Sequence, residues 1–87
     1  TPYTKLETLR VSEETGIAYI DPKNSVVDVN SSCSLKDLYA LDTSDTNFNA
    51  IYSTLLAAGV GQKEVRFWVS DLAGECLNGR QRVKVVR

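Results

Sequence analysis

The chain has 87 residues, 43% of them hydrophobic and 24% charged, with a formal net charge of −1. That length holds one domain, 1–87, and the composition is that of a folded chain rather than a disordered one. The charge balance calls for neither nucleic acid nor an anionic membrane, and no apolar run approaches the roughly 20 residues of a membrane-spanning helix.

In chain order, "TKLETLRV" at residues 4–11 alternates loosely and predicts a strand. "SEETG" reads as a turn in which Gly16 can take positive φ, and "IAYID" as a returning strand stopped by Asp21-Pro22. "SVVDV" at 25–29 predicts a third strand, with Val27 and Val29 on one face. In "SSCSLKDLYALDT", Ser34 and Asp37 resemble a capping box while Leu35, Leu38 and Tyr39 share a side, so a short helical turn is expected near 34–40.

Phe48, Ile51, Tyr52, Leu55 and Leu56 recur at helical spacing and predict the main helix at about 46–59, its apolar stripe facing a core. Ser44, Asp45, Thr46 and Asn47 are candidate N-caps. The opposite face, with Ser53, Thr54 and Ala57, is small and weakly polar and suits close approach by a neighbouring helix. "EVRFWV" then predicts a strand with Val65, Phe67 and Val69 on one face and Arg66 and Trp68 on the other. In the last strand, "RVKVV", Val83 and Val85 share a face opposite Arg82 and Lys84.

Three strands, one helix and two strands predict an α+β domain, mainly β: a small five-stranded OB-like barrel. Such barrels bind oligonucleotides or oligosaccharides.

Gly59-Val60-Gly61 beside Lys63 has the look of a phosphate loop, but the order is reversed. Phosphate loops follow a strand and open a helix. Here a helix precedes the glycines, so they read as a left-handed C-terminal cap, with Lys63 near the negative end of the helix dipole.

Enzyme chemistry is poorly supplied. Histidine, the commonest general base, is absent, and no nucleophile elbow is present. Asp28, Asp37, Asp42 and Asp45 read as a solvated face and caps, without the spacing of a calcium loop. Neither a metal nor a cofactor is expected.

Cys33 and Cys76 are expected to pair. Closing a loop of about 44 residues would be worth on the order of 4 kcal/mol in the chain-entropy model, useful to a thin core. The alternative is two buried thiols acting as small hydrophobes. Without CxxC or histidine, a zinc site is not expected. A disulfide implies an oxidising compartment, so a secreted or periplasmic location is expected. The start "TPYTKLETL", in a chain without methionine, fits one from which a leader has been removed, naturally or by trimming. Asn30-Ser31-Ser32 is formally a glycosylation sequon.

Trp68, beside Arg66 and opposite the Val65/Phe67 face, is a candidate stacking platform for a sugar or a base. The plain alternatives are packing under the 71–79 loop or burial in a subunit interface.

"TNFNAIYSTLLAAGVG", "EVRFWVS", "ECLNG" and "RVKVV" together resemble the B subunits of Shiga-type toxins, OB-fold carbohydrate-binding proteins. In that family a helix beginning Trp-Asn carries paired leucines and ends at glycine. A strand follows, then a cysteine with Asn-Gly after it, and a final strand ending near arginine. Phe48-Asn49 stand at the Trp-Asn position, Leu55-Leu56 match the leucines, Gly61 the glycine, and Cys76 with Asn78-Gly79 the loop. The likeness covers residues 46–87 and extends to the first half by topology alone.

Two departures stand out. The family's partner cysteine lies near the N-terminus, whereas here it is Cys33, and the helix-start indole is replaced by the Phe48 ring. The resemblance implies a homopentameric ring, with barrels pairing edge strands around central helices and a glycan bound on one face.

The candidate ligand-binding set is therefore Phe48, Asn49 and Asn78 from the resemblance, with Trp68 and Arg66 from residue chemistry. The leading expectation is a secreted, non-enzymatic OB-like binding or assembly module, homo-oligomeric and glycan-binding. Two alternatives stand beside it. One is a structural or interaction protein of unassigned role. The other is a single-stranded nucleic-acid binder using Arg66, Trp68, Arg82 and Lys84, which the acidic balance disfavours.

Overall fold

The computed structural model describes residues 1–12, 14–72 and 74–87. Six strands and one helix run in the order β1 (Leu6–Ser12), β2 (Ile17–Pro22), β3 (Tyr39–Asp42), α1 (Phe48–Gly61), β4 (Phe67–Val69), β5 (Cys76–Leu77) and β6 (Arg80–Val86). They form one mixed sheet in the order β1-β2-β3-β6-β4, with β5 pairing β6 off that path. The fold is α+β and mainly β.

The sheet is not closed into a barrel, and its strands number six rather than five. Beyond the ladders, β1 and β4 approach through an isolated bridge in which Thr4 and Val65 exchange two hydrogen bonds, both 2.8 Å. The amino group of Thr1 donates to the Phe67 carbonyl at 2.9 Å, and the Phe67 N–H donates to the Thr1 hydroxyl at 2.9 Å.

The first hairpin forms as expected, its turn closed by Gly16 at φ 67. That turn includes Glu13, which lies outside the described residues. A bulge at Glu7, between the pairs Leu6↔Pro22 and Thr8↔Asp21, lets Leu6 and Leu9 both lean on the core although they are three residues apart.

The third strand is a correction. "SVVDV" is not a strand, and the helical turn expected near 34–40 does not form; the strand is Tyr39–Asp42. Leu38, Tyr39, Ala40 and Leu41 are all buried, a continuous apolar run that suits a strand covered on both faces. Val27 and Val29 are exposed instead. Asp37 does not cap a turn, because its carboxylate is taken by Arg80.

Segment 23–38 therefore crosses as irregular chain, and its backbone groups need partners elsewhere. Gln81, fully buried on the central strand β6, supplies three. Its Oε1 accepts from the Val29 and Asn30 N–H groups, both at 2.7 Å, and its Nε2 donates to the Val27 carbonyl at 2.9 Å. The Val27 N–H donates to the Tyr39 hydroxyl at 3.0 Å. Asn30, buried in turn, donates from Nδ2 to the Ser70 and Leu72 carbonyls. Cys33 and Cys76 form the expected disulfide, tying this segment to β5 across a Cα–Cα distance of 5.6 Å.

The helix begins at Phe48, with Asn47 at the N-cap and no side-chain capping bond; Asp45 Oδ1 instead accepts from the Asn47 N–H at 3.0 Å. Ile51, Leu55 and Ala58 are buried, while Leu56 is 46% exposed, so the buried stripe is narrower than the sequence pattern. The C-terminal cap also shifts. Gly59 and Gly61 stay helical, and Gln62 takes the left-handed conformation at φ 53. The Lys63 N–H reaches the Ala58 carbonyl at 2.9 Å, and the Gln62 side chain bonds the Gly59 carbonyl, a local bond that offsets the strain.

β4 is shorter than expected, with Val65 contributing only the bridge. Its pairing with β6 skips a residue, Trp68↔Val85 being followed by Val69↔Val83. This bulge at Lys84 puts Val83 and Val86 inside and leaves Val85 outside, correcting the expected Val83/Val85 face. The core joins Ala18, Ile20, Tyr39 and Leu41 to the helix stripe and to Val65, Phe67, Val83 and Val86. Within it, the Tyr39 and Phe67 rings lie 4.8 Å apart.

Replacing Gln81 by leucine keeps the volume and removes all three loop anchors. We expect a loss of roughly 3 kcal/mol or more in urea unfolding, since buried groups lose their partners. A change below about 1 kcal/mol would mean that the loop is held by other groups.

Candidate functional site

The sequence-derived candidates divide among three places. Phe48 packs partly against the core and stacks on Tyr52, with ring centres 5.2 Å apart, while Asn49 is exposed. Beside them, between α1 and β6, lies a groove of about 210 Å³ lined by residues including Asn47, Ala50, Thr54, Lys84 and Val85.

Asn78 and Gly79 form the two-residue turn between β5 and β6, at φ 50 and 80. The Asn78 side chain donates to the Tyr19 hydroxyl at 3.1 Å, and the Arg80 guanidinium lies 5.0 Å over the Tyr19 ring. Arg80 also grips Asp37 with two bonds, 3.0 and 3.1 Å. Asn78 thus sits exposed in a tight turn, with its side chain bonded to Tyr19.

The third place is the outward face of β4. Trp68 is 38% exposed. The Arg66 guanidinium carbon lies 4.5 Å from its ring centre and 5.3 Å from that of Tyr3, and the Arg87 guanidinium carbon lies 5.4 Å from the indole. Arg66 and Arg87 are directly opposite one another, exchanging backbone hydrogen bonds of 2.8 and 3.0 Å beyond the end of the β4–β6 ladder. Trp68 and Arg66 therefore come together as expected. Arg87 and Tyr3 join them, placed there by register and by the N-terminal contacts with β4.

The other cations of the basic tail are engaged. Arg82 pairs with Asp45 and Lys84 with Glu75, both at 3.0 Å. Lys36 pairs with Asp28 at 3.1 Å. The aspartates expected to form a solvated face thus mostly hold ion pairs, while Asp42 accepts from the Ser44 hydroxyl and N–H.

These contacts hold carboxyl groups below their usual range. For Asp37 the principal cause is the Arg80 bond, for Asp42 the Ser44 hydroxyl, and for Asp45 the Asn47 N–H followed by Arg82. The Tyr19 phenol is lowered mainly by the Asn78 bond. Among the described residues no group of three or more histidines, cysteines or carboxylates is placed to hold a metal, and no helix is long and apolar enough to cross a membrane.

The sequon is closed in the fold. Asn30 is only 3% exposed and its Nδ2 is shared between two carbonyls. Folded protein recovered from a eukaryotic secretory pathway is therefore expected to carry no glycan at Asn30, as intact mass would show; a glycosylated native fraction would contradict this placement.

Acid sensitivity follows from the aspartates. Their folded values lie below the ordinary 3.8, so their contribution is complete above that pH and is lost as pH falls through the folded values. The urea midpoint should decline on acidification through this range, and Asp37→Asn should flatten the decline. An unchanged profile in that variant would show that the Arg80 pair contributes nothing.

No protein-family model matches the chain, and no curated protein or solved structure does so.

Proposed function

We propose that this chain is an exported, non-enzymatic OB-like binding module that recognises a glycan on the outward face of β4. The OB-like reading draws support from the strand order, a β1-β2-β3 meander followed by a crossover to a parallel β3–β6 pair. The Thr4–Val65 bridge adds to it, drawing the two ends of the sheet together as in a partly open barrel. The disulfide is compatible with export.

The observation that carries the reading is the cluster of Tyr3, Arg66, Trp68 and Arg87, which gathers aromatic surface and hydrogen-bond donors on and beside the solvent-facing side of β4. Of the four residues in the nucleic-acid alternative, Arg82 and Lys84 are already paired with carboxylates, which leaves too little free charge to track a phosphate backbone.

The assembly reading has its own support. Leu56 and Val60, one turn apart on α1, are 46% and 86% exposed, an apolar edge suited to packing between copies in a homo-oligomer.

A glycan array followed by fluorescence titration tests the glycan reading, because Trp68 is the sole tryptophan. We expect a saturable response in the wild-type chain; followed by titration calorimetry, which needs no tryptophan, Trp68→Ala should weaken the affinity by about tenfold or more, while Asn49→Ala leaves it unchanged. Silence of folded protein across a broad array would overturn the reading. A native mass above that of one chain would support assembly; a monomer at high concentration would remove it.

A further inference from the structure

The outward face of β4 carries an electrostatic conflict. Arg66 and Arg87 occupy a directly opposed, hydrogen-bonded position across two antiparallel strands. Like charges directly opposite one another on one face repel, even at the wider spacing of a hydrogen-bonded pair. Neither guanidinium has a carboxylate partner among the described residues, whereas Arg80, Arg82, Lys36 and Lys84 each have one. Both are instead drawn toward one indole, within 5.4 Å of its centre, so they stand no farther apart than their two distances combined. Cation–π attraction holds each arginine but cancels no charge.

This occupancy changes what Trp68 offers a ligand. A guanidinium 4.5 Å from the ring centre covers indole surface that a sugar would otherwise stack upon. What this face then adds for a ligand is the N–H groups of two arginines held against one aromatic ring. Planar N–H edges of this kind match the oxygens of a carboxylate or sulfate.

We infer that Arg66 and Arg87, both held against Trp68, form an oxoanion site that takes the carboxylate or sulfate of an acidic sugar. The glycan reading above supplies the sugar; the anion site stands on the paired arginines alone. Trp68 is the support that orients them, and the Tyr3 ring centre lies 5.3 Å from the Arg66 guanidinium carbon. A bound oxoanion would relieve the repulsion and accept hydrogen bonds from both arginines at once.

The test follows Trp68 fluorescence during titration with glucuronate, N-acetylglucosamine 6-sulfate, their neutral parents glucose and N-acetylglucosamine, inorganic sulfate, and a thymidine decanucleotide. The acidic sugars should bind on the order of tenfold more tightly than the neutral ones, with affinity falling as salt rises. Arg66→Gln and Arg87→Gln should each remove that preference. Arg66→Lys, which keeps charge but loses the planar fork, should lose several-fold. Should Arg66→Gln fail to fold, Arg87→Gln at the strand end still reports.

Equal binding of acidic and neutral sugars would overturn the anion site while leaving the glycan reading intact. A response to inorganic sulfate but to no sugar would keep the arginine pair and end the glycan reading. Decanucleotide binding well above that of every acidic sugar, lost in both arginine variants, would replace the proposal with nucleic-acid recognition.

Discussion

The buried amide of Gln81 is the contact on which the first half of the molecule depends. A polar side chain at the centre of a sheet is costly unless every group on it is matched. Here it is matched by three backbone groups of the irregular crossing at 23–38. The match works in both directions, since the crossing has no ladder of its own and would otherwise leave peptide groups unpaired against the core. Gln81 holds Val29 and Asn30, Asn30 holds the irregular segment that follows β4, and Cys33, three residues further on, bonds Cys76. The disulfide and these hydrogen bonds hold the same crossing.

Local pattern explains which elements were legible in the sequence. The first hairpin, the main helix and the Val65/Phe67 face follow from short-range periodicity and appear nearly where expected. The third strand is not legible because Ser34, Asp37, Leu35 and Leu38 imitate the start of a helix, while "LYAL" carries a continuous apolar run that periodicity cannot assign. The distinction rests on partners far along the chain. Tyr39–Asp42 is a strand because β2 and β6 flank it, and Asp37 is drawn out of a capping role by Arg80. The pattern points to a glycine for the left-handed residue at the helix end, yet Gln62 occupies it with help from its own amide.

The candidate site was partly legible for the same reason. Arg66 and Trp68 are two residues apart on one strand, so their shared face could be read directly. Arg87 belongs beside them only through the pairing of β4 with β6, and Tyr3 only through the contacts of the N-terminal segment with β4. Phe48, Asn49 and Asn78, carried over by resemblance, lie at other places in the fold. Asn78 lies in a turn, and its side chain bonds Tyr19.

The bulge at Lys84 reaches beyond packing. In an unbroken strand, inward and outward positions alternate, and Arg87 would share the inner side with Val83 and Val85. One extra residue reverses that parity for the end of β6, sending Val86 inward and Arg87 out beside Arg66. The surface charge of this face is therefore governed by strand length as much as by residue identity. A single-codon insertion or deletion near this point could create or erase the arginine pair in one step, a larger change of surface than a substitution makes. Variation in this module is best compared by register first and by residue second.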